Sequence, residues 1–209
     1  MESEVRQKRL RRLVKKLNEE RKKQAQKIDI LCKDFIAGHK DFIKGLDTVS
    51  FAASFYESIV GATELTNLLY IAGKTIRDEI GDVNVAFFLR KNKSFELHLF
   101  ESDRPVTLEK YDLENCFTHD LVDNICKSNK QCTLDDLLKM GLQGNPSVLR
   151  NISLVAVPLG QFGSSFGFIL IYRPAQEKFN GERIKNVVAI TSGLSRAIDS
   201  CQMLMQAVD

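Results

Sequence analysis

No stretch of this chain approaches the length of apolar residues that a membrane-spanning helix needs, and the N-terminus is charged where a signal peptide carries its hydrophobic segment. Both absences point to a cytoplasmic protein. The cysteines, Cys32, Cys116, Cys126, Cys132 and Cys201, form an odd set with no CxxC pair, and no histidine falls at zinc-finger spacing. A disulfide scaffold and a structural zinc are therefore not expected, and the thiols read as reduced. The chain has no GxSxG, P-loop, HExxH or GxGxxG motif, so the common hydrolase, nucleotide-hydrolase and dehydrogenase signatures are missing. It also shows no internal repeat and no low-complexity tract. Its 209 residues, 44% of them apolar, suffice for one domain of ordinary size plus an appendage.

The charge that is present is unevenly placed. Residues 1–45 hold fourteen Lys or Arg against seven Asp or Glu, so a net charge of +3 for the whole chain leaves the remainder at −4. A basic segment thus precedes a mildly acidic one. Within the basic segment, residues at steps of four and three trace a heptad seam through Leu10, Val14, Leu17, Arg21, Gln24, Ile28, Leu31, Phe35, Gly38 and Phe42. The spacing predicts a helix from about residue 2 to 44, and a helix on the order of 60 Å long needs a partner helix along part of its length. Arg21 and Gln24 interrupt the seam, weakening it locally while fixing its register. Gly38 and Gly45 suggest that the helix ends before Asp47, where Asp47-Thr48 can cap a second helix carrying Val49, Phe51, Ala52, Phe55, Tyr56 and Ile59. The organisation expected is a basic coiled-coil helix over residues 1–46 and a globular domain over 47–209.

Within the globular part, Gly61 breaks the pattern and Thr63-Glu64 restarts it, with Leu65, Leu68, Leu69, Ala72 and Ile76 at helical spacing up to Gly81. Val83 to Leu89 and Phe95 to Phe100 then read as a hairpin across a short polar turn. After Pro105 the region to about residue 150 is irregular, with short helices expected at Thr118–Ser128 and Thr133–Met140. Two further strands, Ile152–Leu159 and Gly167–Arg173, lead to a helix from Asn180 to about Gln206. Its Ile184, Val187, Thr191, Leu194, Ile198, Cys201 and Met205 are again spaced by threes and fours. The fold class expected is α+β: an antiparallel sheet of five or six strands, the terminal helices on one face and the irregular region over the other.

The segment Leu68–Ile76, the run Leu154-Val-Ala-Val-Pro-Leu159, Gly167 at the opening of the next strand, and Phe179–Arg183 through Ala197-Ile198 resemble the GAF domain family over about residues 63–205. That resemblance implies a sensory domain holding a small ligand between the sheet and its connecting helices and loops. Transferred to this chain, the pocket would be lined by Phe87 or Phe88, Phe95, Leu97, Tyr111, Phe117, His119 and Met140; the same aromatics can instead fill the space. The Asn-Lys-x-Phe-Asp-Glu signature of the cyclic-nucleotide-binding branch is absent. A Cys-His pair like that of the bilin-binding branch is also missing, since Phe117 and Thr118 separate Cys116 from His119. The identity of any cofactor is left open.

Two sets of side chains invite chemical readings. His98 and His119 would be the candidates for a haem or metal site, although a solvated His98 and a surface His119 are the simpler assignment and no metal is expected. Cys116, Cys126 and Cys132 resemble the thiols of the free methionine sulfoxide reductases, GAF enzymes that attack a sulfoxide with a thiolate. Here the acidic run before Cys116 opposes thiolate formation, and the glycine-rich setting of those enzymes is missing. The expected function is therefore non-catalytic: a sensory or regulatory GAF-like domain that binds a small molecule or a protein partner and transmits a signal. It would be a homodimer, its terminal helices forming a parallel bundle through Leu10, Val14, Leu17, Ile28, Leu31, Phe35, Leu194, Ile198 and Cys201. Nucleic acid is not an expected partner, because the basic helix has no interleaved aromatics and no helix-turn-helix. A thiol-dependent redox enzyme and a purely structural dimerisation module are the alternatives.

Overall fold

In the computed structural model the described residues are 2–91, 94–100, 116–145, 149–161, 164–174 and 178–208. The chain divides into two compact units, Met1–Asp47 and Thr48–Asp209. The elements of the described residues are, in order, α1 (Glu2–Ile59), α2 (Leu65–Ile80), β1 (Asn84–Lys91), β2 (Ser94–Phe100), α3 (His119–Ser128), β3 (Cys132–Thr133), α4 (Leu134–Lys139), β4 (Ile152–Gln161), β5 (Ser164–Pro174) and α5 (Gly181–Val208).

The first unit is helix throughout its described length, and no side chain is buried among its described residues. The expected break before Asp47 does not occur: α1 runs on to Ile59, and Asp47-Thr48 caps no second helix. A helical glycine costs only about 1 kcal/mol relative to alanine, which is too little to stop a helix whose neighbours favour it. Beyond Asp47 the same helix is held by tertiary packing, since Phe55 is fully buried and Phe51, Ala52, Tyr56 and Ile59 pack on the core beside it. Thr48 donates through Oγ1 to Asn186 Oδ1 at 2.7 Å. Helix α1 then stops at Gly61, whose φ of +83° suits a residue without a Cβ.

The second unit is built on an antiparallel five-stranded sheet in the order β2-β1-β5-β4-β3. Successive residues of its inner strands point to opposite faces, and both faces are covered. Val85, Phe87 and Leu89 of β1, Ile169 and Ile171 of β5, and Val155, Val157 and Leu159 of β4 face a layer made by α2, α5 and the end of α1. The alternate residues Ala86, Phe88, Phe168, Leu170, Tyr172, Leu154 and Ala156 face α3, β3, α4 and the loops around them. Burial on both sides explains why these strands read as continuous apolar runs and not as an apolar-polar alternation. The chain thus has the α+β arrangement expected, with five strands, and the 116–145 portion of the irregular region covers the face opposite the helices.

Two glycines set close approaches. Gly167 has φ +139°, and a Cβ there would lie 1.8 Å from the Phe88 carbonyl oxygen, so β5 reaches β1 only because the position has no side chain. On α5, a Cβ at Gly193 would lie 2.2 Å from Tyr56 Cε1, where the end of α1 crosses it. Helix α3 starts at Thr118, whose hydroxyl accepts from the Leu121 amide at 3.4 Å. Helix α4 begins with a reciprocal capping box between Thr133 and Asp136. Hydrogen bonds from the Thr133 hydroxyl and then from its amide hold the Asp136 carboxyl below its ordinary value of 3.8.

The terminal-helix residues Leu194, Ile198 and Cys201, expected along a dimer seam, are buried in the chain's own core against the sheet. They are not available to a second copy. The correction has a simple cause: α5 crosses β4 and α2 along the stripe that holds Ile184, Val187 and Ile190, and these three residues continue the same stripe.

Candidate ligand face and helical surface

Of the residues expected to line a pocket, Phe88, Phe95, Leu97, Phe117 and Met140 are brought to one face of the sheet. Phe88 on β1 pairs in register with Leu97 on β2 and with Phe168 on β5. This register stacks the Phe88 and Phe168 rings at 4.5 Å between centroids with an interplanar angle of 8°. Phe117, just before α3, closes the group from above, 5.0 Å from the Phe88 ring and 5.5 Å from that of Phe168. Phe88, Leu97 and Phe117 are buried, while Phe95 and Met140 pack at the margin of the same cluster. Phe168 was not among the expected lining residues; its place follows from strand pairing, which no local pattern reports. Tyr111 lies outside the described residues.

A polar rim borders this aromatic layer. Asp123 of α3 pairs with Arg90 of β1 and approaches His119 Nδ1 at 3.7 Å. Phe95 lies between them, its ring 5.7 Å from the imidazole of His119 in an edge-on arrangement and 5.5 Å from the guanidinium carbon of Arg90. His119 and Phe95 are therefore neighbours, as a shared pocket wall requires, but His119 itself is exposed. The layer is apolar and aromatic, with the cation of Arg90, the carboxylate of Asp123 and the imidazole of His119 at its edge.

The two histidines do not converge. Along β2, Phe95, Leu97 and Leu99 face α3, whereas Phe100 packs with the helical layer on the other side. His98 has the parity of Phe100, so it lies across the sheet from His119, and its Nε2 is 3.8 Å from Glu96 Oε1. No cluster of three or more potential metal ligands occurs among the described residues.

Cysteines are similarly separated by environment. Cys32 is exposed on α1, and Cys116, Cys126, Cys132 and Cys201 are buried without a disulfide. The Cys126 thiol donates to the Gly167 carbonyl at 3.5 Å and that of Cys132 to the Lys130 carbonyl at 3.4 Å. Burial pushes the Cys201 thiol up from its ordinary value. Cys116 is closely covered: a Cβ added to Gly144 would lie 2.8 Å from its sulfur.

The other feature of functional weight is the seam on α1. Leu10, Val14, Leu17, Ile28, Leu31 and Phe35 are all exposed, Phe35 to 75% of its full surface. Lysine and arginine pairs recur on the same helix at 8–9, 15–16 and 22–23, one heptad apart and outside the seam. No helix is long and apolar enough to cross a membrane among the described residues.

Comparison with known proteins finds no matching family model and no matching curated protein. Solved structures do match. A GAF domain/HD domain protein from Geobacter sulfurreducens superposes with a TM-score of 0.55 at 14% identity, over 69% of this chain and 98% of that one. The GAF domain of a phosphoenolpyruvate-protein phosphotransferase from Acinetobacter gives 0.55 at 14% identity over 76% and 97% of the two chains. That of the corresponding enzyme from Coxiella burnetii gives 0.57 at 12% identity over 77% and 98%.

Proposed function

We propose that this chain, whose fold is GAF-like, is a non-catalytic sensory or regulatory protein that dimerises through the first part of α1 and receives its input at the α3–α4 face of the sheet. The observation that carries the reading is the exposed heptad seam. Six large apolar side chains in register along one helix form a surface that water disfavours and that a second copy of the same helix would cover by knobs-into-holes packing. A parallel arrangement places Arg21 opposite its own counterpart and Gln24 likewise. Both polar pairs tolerate partial solvation in a two-stranded coil and penalise shifted registers.

The input side rests on the layer of Phe88, Phe117 and Phe168 with its rim of Arg90, His119 and Asp123. A small molecule or a protein segment that exchanged places with one of these rings would change how α3 sits on the sheet. Because α3 and α5 contact opposite faces of the same strands, a shift in one face has a packed route to the helical layer. The buried, carbonyl-bonded thiols favour this reading over a thiol-redox enzyme.

Native mass spectrometry of the freshly purified 209-residue chain, compared with the denatured mass, tests both halves. The expected result is a dimer carrying an extra mass that is lost on denaturation. A dimer of bare polypeptide would favour the structural module or a partner-driven switch, and a monomer would overturn the coiled-coil reading.

A further inference from the structure

The edge of the sheet next to α5 holds a cavity of about 360 Å³, away from the aromatic layer. Its origin is topological. Strand β3 is two residues long, and its ladder with β4 ends at the pair Cys132↔Ala156. On the approach to β3 the chain passes through Asn129 in the left-handed conformation, φ 49°, which leads the backbone out of α3. Beyond Ala156, β4 continues through Val157 and Pro158 with no β3 partner in register, and proline offers no amide to a neighbouring strand. The gap so left is walled on one side by the 129–131 loop and on the other by α5.

The wall contributed by α5 is a separate face from its core stripe. Val188, Thr191, Ser192 and Arg196 follow one another at steps of three, one and four, which places them along one side of the helix. Val157, Pro158 and Val188 give the cavity an apolar part; Arg196 and, from the loop, Lys130 bring two cations, with the Ser192 hydroxyl beside them, while the Thr191 hydroxyl donates to the Val188 carbonyl at 2.8 Å. No acidic residue occurs among the described lining residues, and neither cation has an ion-pair partner among the described residues. Two unneutralised cations from separate elements, lining one small cavity together with the Ser192 hydroxyl, suit an oxyanion. A guanidinium fork, an ammonium and a hydroxyl match the several acceptor oxygens of a phosphate better than the two of a carboxylate.

We propose that this edge cavity binds a small phosphate monoester, the phosphate held by Lys130, Arg196 and the Ser192 hydroxyl, the organic group resting on Val157, Pro158 and Val188. Such a ligand joins the 129–131 loop to α5 and so bridges the elements that cover opposite faces of the sheet. The site stands independently of the dimer and of the aromatic layer.

The test uses the 209-residue chain and phenyl phosphate as the probe, with inorganic phosphate and benzoate as comparators. Amide chemical shifts are followed by NMR and affinity by calorimetry. Phenyl phosphate is expected to shift the resonances of residues 129–131 and 188–196, and to bind at least tenfold more tightly than either comparator. The double variant Lys130→Gln/Arg196→Gln, which alters exposed side chains only, is expected to lose at least tenfold in affinity at an unchanged melting temperature. Binding that survives the double variant, or shifts confined to the basic residues 8–23, would overturn the proposal. So would the absence of any shift at millimolar probe, or equal affinity for benzoate.

Discussion

Helices α1 and α5 carry the same three-and-four spacing of apolar residues and put it to opposite uses. On α5 the stripe from Ile184 to Cys201 is sealed against the sheet, with Leu194 and Ile198 fully buried. On α1 the stripe from Leu10 to Phe35 is covered by nothing in its own unit. The difference teaches that periodicity identifies a face to be buried and is silent on what buries it. The charge around each stripe tells more. Basic pairs recur every seven residues along α1, a pattern suited to the outside of a coil, whereas α5 is flanked by the mixed polar residues of a domain surface.

Substitutions that act on the sheet unit alone should have the largest effects. Gly167→Ala places a methyl group against the Phe88 carbonyl in a backbone conformation that alanine resists, and is expected to cost roughly 3–5 kcal/mol, read as a collapse of the denaturation midpoint. Leu194→Ala should cost about 2–5 kcal/mol by cavity formation while leaving the oligomeric state untouched. The paired substitution on α1, Leu17→Asp with Leu31→Asp, should do the reverse. Light scattering would show the dimer lost, and the denaturation midpoint of the sheet unit would move by no more than about 0.5 kcal/mol. If Leu194→Ala dissociated the dimer, or the α1 pair left it intact, the contrast between the two stripes would fail.

A finer test of the seam is Arg21→Leu. Exchanging a charge for an apolar side chain at a core position should tighten self-association by roughly tenfold, with some loss of register specificity, measured by sedimentation at several concentrations. The smallest effect is expected at Asp136. Its folded-state pKa is depressed by the Thr133 hydroxyl and amide, so the cap contributes stability above the unfolded value of 3.8 and loses it as pH falls through the lower folded value. Denaturation midpoints taken between about pH 5 and pH 2 should therefore fall less steeply in Asp136→Asn than in the unaltered chain.

Much of the fold was legible. The hairpin of β1 and β2, the capped helices after Thr118 and Thr133, and the final strand pair all carry local signals: β-branched and aromatic runs, hydroxyl caps, and glycine at the turn points. What escaped was decided by neighbours. Two residues, Cys132 and Thr133, have no period to read, so β3 exists only through its pairing with Val155 and Ala156. The continuation of α1 past Gly38 and Gly45 could not be read locally, because the packing of Phe55 and the Tyr56–Gly193 crossing are long-range. In the same way the aromatic layer was legible as a set of phenylalanines, but Phe168 joined it through strand register, and His98 left it through strand parity.

By itself the sequence determined most of the order of elements, the α+β class and the basic helix with its heptad spacing, since each depends on side-chain type and near-neighbour spacing. Tertiary structure alone decided which apolar stripe became core, which face each histidine took, and where a sheet edge stayed open beside Lys130 and Arg196. Those outcomes depend on residues separated by tens to more than a hundred positions along the chain and brought together only when the sheet closes its register, and no local pattern encodes that meeting.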